Sequence, residues 1–233
     1  MKKLILLAFF IGLIKLSFGQ GDLCQNSDPF CTSENYIFHT DSSDLVAQPG
    51  PDYGCLSYGL HSPSWFHMRM KVSGDIEITM FSIPIAPNDS VDIDFICWGP
   101  FTDPVMPCEG QLTSDKIVDC SFSRWALEKC YIPNGLVGEY YILLITNFRN
   151  KSCDITFQKT SGTGETDCSI VPPQVSNNGP LCVGDTLELY ATSEPGATYE
   201  WSGPLGFTST DQNPIIPDVT LVHAGDYQVV ITV

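Results

Sequence analysis

Hydrophobic and polar residues alternate along much of this chain with the two-residue period of a β-strand. In WFHMRMKV (65–72), Phe66, Met68, Met70 and Val72 point one way while His67, Arg69 and Lys71 point the other, the signature of a half-buried strand. DIEITM (75–80) repeats the pattern after a Ser73-Gly74 turn, and CDITFQ (153–158) repeats it again. EYYILLIT (139–146) is apolar on both faces, which predicts a central strand of a layered core. Clusters of Gly, Pro, Asn and Asp separate these runs and mark loops. SRWALEK (123–129) is read as part of a surface loop between cysteines, one helical turn being the alternative, and no convincing helix is predicted anywhere. Many short strands, some one-sided and some two-sided, predict an all-β chain built from β-sandwiches.

The pattern breaks near residue 170. SGTGETDC (161–168) is small and turn-rich, and VPPQ (171–174) is held extended by its prolines. The expected division is 1–19 as leader, 20–168 as a first sandwich, 169–174 as linker and 175–233 as a second sandwich. In the second, GDTLELY (184–190) alternates like an inner strand, and Trp201 is placed to fill a core. AGDY (224–227) resembles the tyrosine corner of immunoglobulin-like domains, with Val229 where antibody domains carry a cysteine. The chain is expected to be truncated, with the closing strand of this domain, and a partner for Cys182, beyond Val233.

The first 19 residues change the compartment. MKK is followed by an apolar run (4–14) and by small residues before Gln20, the pattern of a secretory signal peptide cleaved after Gly19 rather than a membrane span. The whole chain has 11 basic and 27 acidic side chains, a net charge of −16. Cleavage removes three lysines, leaving 8 basic against 27 acidic, or −19. Such a balance excludes nucleic acid and anionic membrane as partners. The 10 cysteines all follow the leader, and in an exported chain they read as disulfides. Short loops predict Cys97–Cys108 and Cys120–Cys130, with Cys31–Cys55 a further pairing; Cys24, Cys153 and Cys168 compete for what remains.

Catalytic signals are thin. No G-x-S-x-G, H-E-x-x-H or phosphate-cradling glycine loop occurs, and His39, His61, His67 and His223 are scattered. DIDFICWGPF (92–101) raises a sharper question. Ile93, Phe95 and Cys97 share one face, opposite Asp92 and Asp94. The two acids predict a solvated face or, alternatively, a calcium site completed by Asp89, Asp103 and Glu139. Their same-face closeness argues against an inverting glycosidase pair. Trp98 and Trp125, beside the expected disulfide loops, are candidate ligand-contact aromatics, whereas Trp65 is expected in the core. NDS (88–90) and NKS (150–152) fit the N-glycosylation pattern; DSV (89–91) and DTL (185–187) resemble an O-glycosylation acceptor of Bacteroidetes.

Several ordered motifs carry a family resemblance: DPFC (28–31), YGCL (53–56), DIDFICWGPF, VDCSFS (118–123), CYIPN (130–134) and GEYYILLITN (138–147). Over residues 22–168 the chain resembles an N-terminal module of large surface proteins of Bacteroidetes. It is also similar to bacterial pre-peptidase C-terminal domains, which are jelly-roll-like β-sandwiches. Residues 171–233 resemble the PKD or immunoglobulin-like repeats of the same proteins. The resemblance implies export, with the type IX secretion machinery as a partner, and a place on the outer cell surface with links to gliding. The work it implies is non-catalytic: adhesion, or binding of an extracellular glycan or protein. The alternative is an accessory domain of a secreted protease or glycoside hydrolase.

Overall fold

A computed structural model describes residues 21–33, 35–43, 45–85, 91–172, 175–193 and 196–232. The leader, Asp89 and the acceptor patterns at 88–91 lie outside these residues. The described chain is all-β, with short 3-10 turns, and divides after Val171 into two compact units. Among the described residues no helix is long and apolar enough to cross a membrane.

Among the described residues the first unit contains ten strands: β1 (Asp28–Pro29), β2 (Tyr36–Thr40), β3 (Ser64–Val72), β4 (Gly74–Pro84), β5 (Ile93–Phe101), β6 (Ile117–Ser121), β7 (Leu127–Gly135), β8 (Tyr140–Asn147), β9 (Cys153–Ser161) and β10 (Glu165–Thr166). One sheet has the order β1-β3-β8-β5-β6, with β10 also on β3; the other is β2-β9-β4-β7. Every pairing is antiparallel except β1 with β3. The alternation explains how the sheets meet. Phe66, Met68, Met70, Phe95, Leu143 and Ile145 from the first sheet pack on Ile76, Ile78, Met80, Ile132, Ile155 and Phe157 from the second, forming a β-sandwich core.

The first sheet also has a covered back. Trp65, Ile96, Trp98, Ile142 and Leu144 project away from the second sheet into another apolar cluster, closed by Cys24, Ala47, Leu56, Cys108 and Leu112 from connecting segments. This is why β8 is apolar on both faces: it is central in its sheet, and non-strand chain forms a third layer behind it. Trp65 and Trp98 stack there with centroids 5.7 Å apart and planes 15° apart. Gly54, in the left-handed region at φ 53°, turns the cover onto the sheet, and a Cβ at that position would meet Ile117 Cδ1 at 2.7 Å.

The disulfides are Cys24–Cys108, Cys31–Cys168 and Cys55–Cys120. This corrects the expected Cys97–Cys108, Cys120–Cys130 and Cys31–Cys55. The physical reason is common to all three. Cys31, Cys97 and Cys130 face the inter-sheet core, whereas Cys108 and Cys120 pack with the back cluster, where Cys55 joins Cys120. Each expected pair would have to pass through the first sheet; each bond present stays on one side of it. Cys97, Cys130, Cys153 and Cys182 are unlinked in the structure. The bonds close separations of 84, 137 and 65 residues. In the chain-entropy picture each contributes roughly 4–5 kcal/mol.

The expected loop between Cys120 and Cys130 is also corrected, since β7 begins at Leu127 and only the short 122–126 connection crosses from β6. In β7, Glu128, Cys130 and Ile132 are buried while Leu127, Lys129 and Tyr131 are exposed. A buried acid among exposed apolar residues conceals that alternation in the sequence.

The second unit has strands β11 (Val175–Asn177), β12 (Leu187–Ala191), β13 (Thr198–Gly203), β14 (Phe207–Ser209), β15 (Ile215–Ile216) and β16 (Gln228–Thr232), in sheets β11-β12-β15 and β14-β13-β16. Leu189, Ala191, Tyr199 and Trp201 form its core, with Tyr227, Val229 and Ile231 packed against them. The Tyr227 hydroxyl donates to the His223 carbonyl at 3.0 Å, the backward bond of a tyrosine corner.

Candidate functional site

Two places on the first unit concentrate chemistry. The first is the start of β5. Asp92 and Asp94 are 7% and 2% exposed, which corrects the expectation of a solvated face. Because the cover lies behind the first sheet, its back face is interior, and Asp94 falls on it. Asp94 Oδ1 accepts the Ser123 backbone N–H at 3.1 Å, and the Ser123 hydroxyl donates to Glu128 Oε1. Asp92 Oδ1 is buried without a hydrogen-bond partner. Burial raises the Asp94 carboxyl to about 7, and the negative charges of Asp92 and Glu128 add to the rise. Burial also raises Asp92, opposed by Arg149. Glu128 and Ser123 escaped sequence reading, because a buried acid beside exposed Leu127 and Tyr131 hides the strand alternation.

Of the calcium ligands proposed from the sequence, Asp103 and Glu139 do not join Asp92 and Asp94. β5 and β8 run antiparallel, with Asp94 opposite Thr146 and Phe101 opposite Tyr140. Asp103 and Glu139 therefore lie past the far end of a nine-residue strand, on the order of 30 Å from Asp92. Asp103 accepts the Val105 and Met106 N–H groups, and Glu139 accepts from Leu136 N–H and the Tyr141 hydroxyl. Among the described residues no group of three or more His, Cys, Asp or Glu is arranged to hold a metal.

The second place is the outer face of the β2-β9-β4-β7 sheet. Register sets Ile37 opposite Thr156, Thr156 opposite Phe81, and Phe81 opposite Leu127. These four residues form one line across all four strands, about 14 Å wide at ordinary strand spacing. Ile37 is 61% exposed and Leu127 52%. Ile83 lies in the next row, opposite Asp154. Trp125, in the connection entering β7, is 64% exposed with the Arg124 guanidinium 5.4 Å from its ring centroid. Charged side chains flank the row: the Lys129–Glu77 ion pair at 2.9 Å on one side, and Asp154 and Asp41, hydrogen-bonded to His39 at 2.8 and 3.0 Å, on the other. Those two carboxylates raise the His39 imidazole above its ordinary value.

Of the two candidate tryptophans, the structure separates one from the other. Trp98 is fully buried and donates its indole N–H to the Asp52 carbonyl at 3.1 Å, so it touches no external ligand. Its position beside a loop was misleading, because period two sends it into the back cluster. Trp125 is exposed. The exposed apolar residues Ile37, Phe81, Ile83 and Leu127 of this face were not anticipated, because cross-strand register aligns residues up to 90 positions apart in the chain.

No protein-family model matches the chain, and no curated protein matches it. Among solved structures, the adhesin domain of Epf from Streptococcus pyogenes aligns at 14% identity and a TM-score of 0.23, covering 67% of this chain and 60% of that chain. That likeness is too slight to transfer fold or activity.

Proposed function

We propose that this chain is part of an exported, non-catalytic adhesion protein that contacts an extracellular protein through the outer face of the β2-β9-β4-β7 sheet. The observation that carries the reading is a register line across this face in which Ile37, Phe81 and Leu127 are exposed and only Thr156, between Ile37 and Phe81, is polar and buried, with exposed Ile83 in the next row and exposed Trp125 in the connection entering β7. Single exposed apolar residues are ordinary, but several on one sheet face, flanked by charged side chains, have the composition of a protein-contact surface. Mostly aliphatic side chains favour protein over sugar, which stacks on aromatic rings. Three disulfides support an oxidising, extracytoplasmic compartment, and the acidic balance opposes nucleic acid as the ligand.

The test is retention of the purified chain on panels of immobilised extracellular-matrix proteins and of polysaccharides. Binding to a protein surface, lost at least ~10-fold in Phe81→Ser/Leu127→Ser while the melting temperature holds, is the expected result. Retention only on polysaccharide, abolished by Trp125→Ala alone, would replace the protein ligand by a glycan. No retention on either panel would overturn the reading.

A further inference from the structure

The side-of-sheet rule that sorts the three disulfides leaves three cysteines in the inter-sheet core: Cys97, Cys130 and Cys153. Cys153 Sγ meets the Asn147 amide at 3.7 Å and the Thr40 hydroxyl at 4.0 Å. The other two lie on strands that pack against each other. Cys97 projects inward from β5, in step with Ile93 and Phe95, and Cys130 projects inward from β7, in step with Ile132. These strands belong to opposite sheets, joined at one margin by the β6-to-β7 connection. Both residues are fully buried, and Asp119, the β6 register partner of Cys97, accepts the N–H of Tyr131, next in the chain to Cys130, at 2.7 Å, which brings the two cysteines to the same level of that margin.

We infer that Cys97 and Cys130 form a fourth disulfide in the exported protein, pinning the two sheets together through the middle of the sandwich. Formation is an exchange with a thiol–disulfide oxidoreductase or a small-molecule disulfide. One cysteine thiolate attacks the oxidant's S–S bond, forming a mixed disulfide and releasing the first oxidant thiol. The second cysteine thiolate then attacks the sulfur of the first, closing the Cys97–Cys130 bond and releasing the second oxidant thiol. Two electrons pass to the oxidant, and the two protons end on its thiols. Because both sulfurs are inaccessible once the sheets close, the bond must form before or during folding. It then resists reductants that cannot reach the core.

The experiment is peptide mapping of the full chain secreted into an oxidising compartment, then denatured and alkylated without reductant. The expected result is that Cys97 and Cys130 carry no alkyl label and that their peptides leave the digest as one cross-linked species, separated by reduction. Cys97→Ser should make Cys130 alkylatable, and Cys130→Ser should do the same for Cys97. Each variant should lower the melting midpoint by roughly 5–15 °C, with the double variant adding little. Alkyl label on both residues in the wild-type chain, or either residue linked to another cysteine, would overturn the inference. Wild-type mapping needs no variant to fold and is independent of what the outer face binds.

Discussion

Asp94 is the residue whose environment departs furthest from what its type requires in water. Its carboxyl is buried, faces two other acids, and has one backbone N–H as its compensating donor. The folded chain holds the Asp94 proton up to about pH 7, whereas the unfolded carboxyl releases it near 3.8. Folding therefore takes up a proton between those values, and stability falls as pH rises across that window. Asp94→Asn keeps an acceptor for Ser123 N–H and removes the charge. Urea denaturation should show it more stable than wild type by on the order of 2–4 kcal/mol at pH 8, with the advantage gone at pH 3.5. An unchanged or lower stability at pH 8 would mean that the carboxylate is compensated after all. The sequence places Asp92 and Asp94 correctly on one face of a strand. What it conceals is that this face is interior, because the back of the sheet is covered by connecting chain that carries no strand pattern, Ser123 beside Asp94 among it.

Strand alternation is legible at the scale of elements wherever the two faces differ in polarity, as in β3, and wherever both are apolar, as in β8. It fails for β7, where Glu128 points in and Leu127 and Tyr131 point out. The same limit governs the disulfides: closeness in sequence predicts pairing only when parity puts both sulfurs on one side. The tyrosine corner of the second unit was readable because it is local, and its packing is testable. Gly203 is in extended backbone, so its identity is a matter of space: a Cβ would lie 2.4 Å from Tyr227 Cδ1. Gly203→Ala should displace the ring from its edge contact with Phe207 and break the bond to the His223 carbonyl. The expected cost is about 2–3 kcal/mol in chemical denaturation of the second unit. A loss under ~0.5 kcal/mol would show that the corner bears little of that unit's stability.

At the scale of the molecule, the two units have separate cores, and all three disulfides lie in the first. Calorimetry should resolve two transitions. Reduction in denaturant followed by refolding should lower or abolish the first unit's transition while leaving the second's within ~2 °C, since the second contains only Cys182. Equal sensitivity of both transitions would contradict that division of labour. Class and layering were thus open to inference from the chain, while the contact surface was not, since its residues meet only through the β2-β9-β4-β7 register. The claim that this face makes the contact is tested most directly by hydroxyl-radical footprinting of the chain bound to its protein ligand. Protection of Ile37, Phe81, Trp125 and Leu127, with Tyr58 and Leu205 labelled as in the free chain, is the expected result. Full labelling of those four residues in the bound state, with protection elsewhere, would contradict it.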